Sequence, residues 1–238
     1  MIISARDMDY KSLNDIIRNA EADIQIEDCC GQRFIGTNLA NKKIEINGTP
    51  GNALGAYLNG STIEVFGNVQ DAVGDTMNEG RLIVHGNAGD ALGYAMRGGA
   101  IFIEGDAGYR TGIHMKEYED KKPVIIVGGN AGSFLGEYLA GGLIVVLGLY
   151  ENSIPVGNFA GTGMHGGKIF IRTNEKLKGL PSQVSVDNAN SADLKMIEPY
   201  LKEFADCFNL KVNEILSEGF LMLSPDAKNP YHQLYVAN

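Results

Sequence analysis

The chain has 238 residues, of which 44% are hydrophobic, enough for one large domain with a sizeable core. Its formal charge of −9, without a run of Lys or Arg, argues against a nucleic-acid-binding protein. Three cysteines make neither a disulfide framework nor a zinc ligand set, and the sequence shows neither a signal peptide nor a membrane span, so we expect a cytoplasmic protein.

Residues 1–23 predict a short N-terminal cap. Met1–Ala5 reads as an extended piece, and a helix follows it. The apolar residues that recur there at helical spacing are Leu13, Ile16, Ile17 and Ala20. Asp9 or Ser12 can cap the start of this helix. We expect it to cover the open end of the structure that follows.

A glycine-rich phrase is repeated through residues 24–172, and its clearest copy is LIVHGNAGDALGYAMRGG at Leu82–Gly99. The strand-like starts of the copies are residues 24, 44, 63, 82, 101, 125, 144 and 169. Most steps are 19 residues, and the two clearly longer steps place insertions in Met115–Pro123 and Leu149–Gly163. Glycine supplies 31 residues, about 13% against roughly 7% on average.

Stacking the copies predicts which side chains point inward. Each copy has a period-2 strand, then a glycine four residues on, then further apolar and glycine positions. The first inward column is Ile44, Ile63, Leu82, Ile101, Ile125 and Ile144. One such unit cannot bury its own apolar face, whereas stacked units can. The sequence therefore predicts an all-β solenoid, a right-handed parallel β-helix of about seven coils.

The periodicity ends after Arg172, and residues 173–238 predict a C-terminal helical extension and tail. Residues 173–191 read as a polar connection. A helical stripe is formed by Leu194, Ile197, Leu201, Phe204 and Phe208. Because proline disrupts a helix interior but suits its first turn, we expect the main helix to begin near Pro199. Phe220–Leu223 predicts a strand, and the aromatic tail Pro230–Tyr235 is expected to cap the column or clasp a neighbour.

The copy that departs from the 19-residue spacing supplies the candidate site residues, which are His114, Lys116, Glu117 and Tyr118. A solvated loop is the plainest interpretation of the insertion. Contact with a partner protein is the second interpretation, and acid–base catalysis the third. We take partner contact as the functional hypothesis for these four residues.

Other motifs favour structural roles. Gly161–Gly166 matches G-x-G-x-x-G, but a strand rather than a helix follows it, so a glycine turn is expected. The column Asn52, Asp71 and Asp90 is attributed to turn chemistry rather than calcium binding. His85 should face outward, and the vicinal Cys29 and Cys30 are expected to be packing residues.

The segment GNAGDALGYAMRGGAIFIEGDAGYRTGIHMK resembles the β-helical domain at the C-terminal end of the large subunit of glutamate synthase. The phrase Gly-x-x-Gly-x-x-Leu/Met-x-Gly-Gly is also similar to the β-helical subunit of formylmethanofuran dehydrogenase. The resemblance covers Ile24 to Ile171 and includes Gly112–Lys116. As a free chain, the protein resembles the form of glutamate synthase whose three parts are separate polypeptides. Its N-terminal helix and C-terminal tail depart from the fused form.

The resemblance implies a non-catalytic scaffold subunit of a glutamate-synthase-type complex. Such a subunit braces a glutamine amidotransferase subunit against an FMN-binding synthase subunit, where ammonia and 2-oxoglutarate become glutamate. FMN and an iron–sulfur cluster are then expected in the partners, with no catalytic, cofactor or metal site in this chain. Assembly with copies of itself stays open. The alternatives are a formylmethanofuran dehydrogenase subunit or, third, a carbohydrate-active β-helix enzyme, although the outward columns show no cluster of carboxylates for the latter.

Overall fold

The computed structural model describes residues 1–151 and 153–226, and within them one eleven-stranded sheet runs the length of the molecule. Its strands are β1 Ile2–Ser4, β2 Ile24–Cys30, β3 Lys43–Thr49, β4 Asn59–Phe66, β5 Glu79–Val84, β6 Ala100–Ile103, β7 Val124–Val127, β8 Ala140–Val146, β9 Gly166–Arg172, β10 Val184–Asn188 and β11 Phe220–Pro225. The helices are α1 Tyr10–Asn19, α2 Ser191–Cys207 and α3 Val212–Leu216.

The solenoid predicted from the repeats is confirmed. Strands β1 to β9 pair in parallel and in chain order, and Ile44 faces Ile63, which in turn faces Leu82. A second line of parallel bridges runs up another side of the coils, through Val69, Ala88, Ala107, Ala131 and Val156. The chain between successive strands therefore winds once around a common core. In the described residues this column has about eight turns, β2 to β9.

The interior of the column is filled by the side chains that the alignment of copies places inward. All six members of the first inward column are fully buried, as are the second strand positions and the Met and Leu positions that follow. These residues form one continuous apolar cluster with Leu13 and Ile17 of α1. Because each coil rests on its neighbours, burial of this stripe is what stabilises the stack.

Helix α1 precedes the first coil and packs Leu13 and Ile17 into the core of the column. The Asp9 carboxylate caps it by accepting hydrogen bonds from the backbone N–H groups of Lys11 and Ser12. Its last carbonyls, of Ile17 and Arg18, accept hydrogen bonds from the Lys42 ammonium at 2.9 Å each. Side chains thus provide hydrogen-bond partners for backbone N–H groups at the start of the helix and for backbone carbonyl groups near its end.

The outer face of the sheet divides into a polar and an apolar half. On β2, β3 and β4 it carries Gln25, Glu45 and Glu64. From β5 to β9 the same column is apolar and buried, and its members are Ile83, Phe102, Ile126, Val145 and Phe170. Helix α2 packs on this second half with Ile197, Leu201 and Phe204. The uninterrupted apolar runs of the later strands follow from burial on both faces.

The prediction that the main C-terminal helix begins near Pro199 is wrong, because α2 begins at Ser191 and Pro199 lies inside it. Asn190 and Asp193 form a reciprocal capping box that starts the helix eight residues earlier. A proline within a helix costs about 3 kcal/mol. Burial of the apolar stripe against the sheet offsets that cost. The local sequence pattern did not include this burial.

Two further features of the C-terminal part concern the predicted connection and tail. The connection at residues 173–191 contains β10, which pairs antiparallel with β11, while β11 pairs antiparallel with β9. The predicted strand Phe220–Leu223 is confirmed as part of β11. The aromatic tail Pro230–Tyr235 lies outside the described residues. In the described part of the chain, the helices are too short or too polar to cross a membrane.

Asp193 provides a test of how α2 is held. The ammonium of Lys168 lies 2.7 Å from its carboxylate and, with the backbone N–H of Asn190, lowers the pKa of Asp193 from its ordinary 3.8. We expect Asp193→Asn to lower the free energy of unfolding by about 1 kcal/mol at pH 7. Since the folded-state pKa is depressed, the deficit should shrink as the pH falls through 3.8 and below. Urea unfolding of the variant and of the unaltered protein at pH 7 and pH 3 measures this deficit. Asp187→Asn is the control, because Asp187 is exposed on β10.

Candidate interaction surface

One corner of every coil is built from left-handed backbone conformations. In the coil before β8, φ is 62° at Phe134, 63° at Gly136 and 54° at Tyr138. These turns point Leu135 and Leu139 into the core, where both are fully buried. A non-glycine residue in this conformation costs roughly 1–2 kcal/mol. Hydrogen bonds between coils offset that cost, such as Tyr138 N–H to the Thr162 carbonyl at 2.8 Å.

The outward residues of this corner form two columns of stacked rings in the later coils. The first, here called the terminal stack, consists of Arg110, Phe134 and Phe159. The Arg110 guanidinium lies 5.0 Å from the Phe134 ring centroid, and the Phe134 and Phe159 rings stack at 5.2 Å. Arg110 is held by Glu137, whose carboxylate lies 3.0 Å from its Nε.

The second column, here called the histidine stack, consists of Tyr94, His114 and Tyr138. The His114 ring lies parallel to Tyr138 at 5.1 Å and edge-on to Tyr94 at 5.9 Å. His114 itself has a left-handed backbone, with φ of 55°. His114 is exposed, although the rings of Tyr94 and Tyr138 both lie against it.

The insertion Met115–Pro123 places the other three predicted residues beside the histidine stack. Lys116, Glu117 and Tyr118 are all exposed, Tyr118 by 51%. One Glu117 carboxylate oxygen accepts a hydrogen bond from Gly142 N–H at 3.1 Å, and Tyr118 and Lys121 exchange backbone hydrogen bonds. The loop is therefore tied to the next coil. All four predicted residues are exposed in the structure, and their role in partner contact stays a prediction.

The aligned Asn and Asp residues make turn hydrogen bonds between coils. The Asp71 carboxylate accepts from Asp90 N–H at 2.9 Å, and the Asp90 carboxylate accepts from Tyr109 N–H at 2.8 Å. Asn52 does the same one coil earlier. This is the turn chemistry expected from the sequence. In the described part of the chain, no group of three or more His, Cys, Asp or Glu side chains is placed to share a metal ion.

The remaining motifs take structural positions. Gly161 and Gly163 have φ of 74° and 69° and turn the chain into β9, as expected for a glycine turn. His85 points out of the column, but Phe66 and Phe208 pack on its ring and the Glu64 carboxylate lies 2.9 Å from its Nε2. Cys29 is buried, as expected of a packing residue, and burial raises the pKa of its thiol to about 11, so little reactive thiolate exists at neutral pH. Cys30 is exposed, so the same prediction is wrong for it.

Sequence reasoning missed the terminal stack, although its signal is visible in the aligned copies. The column two residues before each corner glycine reads Phe34, Ala53, Ala72, Ala91, Arg110, Phe134 and Phe159. The side chain at this position is alanine in the middle coils and phenylalanine near both ends of the column. An outward position that changes in this way indicates a surface feature particular to the ends of the column.

Comparison with known proteins gives two matches. The family model described as the GXGXG motif matches residues 7–224, which is most of the chain. The uncharacterized protein MJ1350 of Methanocaldococcus jannaschii is 40% identical over 250 aligned positions, which cover 99% of this chain and 96% of that protein. Both matches extend beyond the repeats to include α1, α2 and most of β11.

Proposed function

Because the chain belongs to the GXGXG motif family, that of the C-terminal domain of the glutamate synthase large subunit, we propose that it is the structural subunit of a glutamate-synthase-type complex. In this proposal it braces a glutamine amidotransferase subunit against an FMN-binding synthase subunit in a cytoplasmic assembly. FMN and the iron–sulfur cluster belong to the partner subunits, and the chemistry takes place there.

The observation that carries the proposal is the family match over residues 7–224, which includes the capping helices as well as the coils. The architecture fits a brace. Strands β1 to β9 form one hydrogen-bonded ladder, so a load on one coil is passed to the next through backbone hydrogen bonds and the shared apolar core. A column of about eight turns spans roughly 34 Å between its first and last strands, at 4.8 Å for each step.

Partner contact in this proposal is made by the histidine stack and the insertion beside it. The His114 and Tyr138 rings are already stacked, and Glu117 ties the loop to the next coil, so this part of the surface has little conformational entropy left to lose on binding. Tyr118 and Lys116 are both exposed, and the contact test uses these two residues.

The test is affinity purification of the tagged full-length chain from its native cells, with mass spectrometric identification of the accompanying chains. We expect a flavin- and iron–sulfur-binding chain and an amidotransferase chain at comparable amounts. Tungsten or molybdenum in the purified assembly would instead assign the chain to a formylmethanofuran dehydrogenase-type complex. Recovery of the chain without either set of partners contradicts the scaffold proposal.

The contact surface is tested by the double variant Lys116→Ala/Tyr118→Ala. We expect about a tenfold loss of partner recovery, because an interface residue that buries an aromatic ring carries about 1–2 kcal/mol or more. Tyr57→Ala is the matched control, since Tyr57 is also exposed by 51% but lies in an early coil. Equal recovery of partners by both variants and by the unaltered chain in quantitative pull-downs would show that the interface lies elsewhere.

A further inference from the structure

We propose that two copies of this chain pair through the free edge of β10, the side of that strand not bonded to β11. The two β10 strands run antiparallel around a two-fold axis at Val186, so that the sheets of the two copies become one. The proposal concerns the isolated chain and stands independently of the complex proposed above.

Strand β10 is the last strand of the sheet in the described part of the chain. It pairs with β11 on one side, and no described strand pairs with it on the other. Val186, Asp187 and Asn188 are exposed, Val186 by 38%. The strand contains neither proline nor lysine, residues that protect many free edges from pairing. Such an edge is a template for a further strand.

The direction of the backbone groups of β10 follows from its bonds to β11. Asp226 N–H donates to the Gln183 carbonyl, and Ala189 N–H donates to the Phe220 carbonyl, each at 2.8 Å. Gln183 and Ala189 flank the strand, and hydrogen-bonded pairs alternate along an antiparallel ladder. The odd-numbered residues of β10 therefore bond to β11, and the even-numbered residues direct their backbone groups to the free edge.

Three residues thus offer backbone groups to a second strand, and these are Val184, Val186 and Asn188. Val184 N–H already donates to the Pro181 carbonyl at 3.1 Å, which agrees with its pointing away from β11. The N–H groups of Val186 and Asn188 have no hydrogen-bond acceptor among the described residues. The free edge therefore presents two donors and three carbonyl acceptors.

A two-fold axis at Val186 matches these donors and acceptors. Val186 then lies opposite Val186 of the second copy, and the two residues exchange a pair of hydrogen bonds. Asn188 N–H of each copy lies opposite the Val184 carbonyl of the other. Both free donors of each copy are satisfied in this register, and the occupied Val184 N–H is not needed.

The charges of the strand specify this register. With the axis at Val186, Asp187 lies opposite Ser185 of the second copy, whose hydroxyl can donate to the carboxylate. An axis at Asp187 would place two carboxylates directly opposite each other, which is destabilising. An axis at Ser185 would require the Val184 N–H, which Pro181 occupies. A strand that fits itself in one register favours a second copy as the occupant, because a two-fold interface must be self-complementary.

The apolar contact is also symmetric. On the inner face of β10, Val186 lines a cavity of about 340 Å³ with Leu177 and Leu221. Directly opposite residues of a ladder lie on the same face, so the two Val186 side chains meet there. Pairing therefore removes exposed apolar area from water in both copies.

Sedimentation equilibrium of the full-length chain tests the proposal, and we expect a monomer–dimer equilibrium between low and high micromolar concentration. Val186→Pro removes the N–H that faces the free edge, a change that an edge strand tolerates on its solvent side. It should raise the dissociation constant at least about tenfold, because one hydrogen bond is lost from each copy. Val186→Thr keeps the N–H and a β-branched side chain, so its dissociation constant should stay within about threefold. Far-UV circular dichroism verifies that each variant is folded.

Disulfide trapping tests the register without depending on the proline variant. Val186→Cys and Ser185→Cys are each made in a chain with Cys30→Ser, because Cys30 is exposed, and are oxidised with copper phenanthroline. The Cα atoms of the two residues 186 are expected about 5.5 Å apart, which suits a disulfide. The two residues 185 are diagonal neighbours about 7–8 Å apart, which is too far.

We expect a linked dimer at least about fivefold faster from Val186→Cys than from Ser185→Cys. A protein that stays monomeric at high micromolar concentration would overturn the proposal. So would a dimer that a folded Val186→Pro variant forms as tightly as the unaltered chain, or equal rates of disulfide formation at the two positions.

Discussion

Replacing Gly80 by alanine is expected to destabilise the protein by about 3–5 kcal/mol, among the largest effects of any exchange of hydrogen for methyl. Gly80 has φ of 110°, and a Cβ there would stand closer than 3.0 Å to the Ser61 carbonyl oxygen of the preceding coil. That oxygen belongs to backbone, so relief requires the two coils to separate. The strained φ adds about 1–3 kcal/mol, and overpacking about 1–3 kcal/mol more.

Gly60→Ala is the matched control for this prediction. Gly60 has φ of 108°, almost the same strain, but a Cβ there meets nothing within 4 Å. Its expected cost is the strain alone, about 1–3 kcal/mol. Urea unfolding of both variants separates backbone strain from close approach of the coils. Equal losses in the two variants would show that the approach of Gly80 to Ser61 has no energetic weight.

Phe204→Ala is expected to lower the free energy of unfolding by about 3–5 kcal/mol. Phe204 is fully buried between α2 and the sheet, with its ring edge-on to Phe102 at 5.9 Å and to Phe208 at 4.8 Å. The cavity left by alanine is enclosed by strands and helix, neither of which can move in to fill it. Because α2 holds the apolar half of the outer face, hydrogen exchange should also quicken along α2.

Tyr57→Ala serves as the comparison for Phe204→Ala, because it removes an aromatic ring of similar size from an exposed position. Its expected effect is below about 1 kcal/mol. The measurement is urea unfolding followed by circular dichroism, with hydrogen exchange by mass spectrometry for α2. A loss at Phe204 no larger than that at Tyr57 would mean that the helix contributes little to the stability of the column.

Much of the column could be predicted because its contacts repeat at short and regular separations. Ile63 meets Leu82 because they are 19 residues apart, as Ile44 and Ile63 are. The alignment of copies therefore identified the inward columns and the corner glycines. It also identified His114 through the break in the period, but not the rings around it. Tyr138 follows His114 by 24 residues because the insertion lies between them. An alignment at the regular step of 19 residues therefore does not place the two rings beside each other.

The sequence alone determined the coil period, the strand columns and the glycine corners. It left Asp9 and Ser12 as alternative caps of α1, and the structure selects Asp9. Only the tertiary structure decided where α2 begins, which half of the outer face it covers, and that β10 joins the sheet. The physical reason is the range of the contacts. Coil stacking is nearest-neighbour packing and leaves a period in the chain. The docking of α2 joins Arg81 to Glu203, 122 residues apart, and no local pattern specifies such a pair.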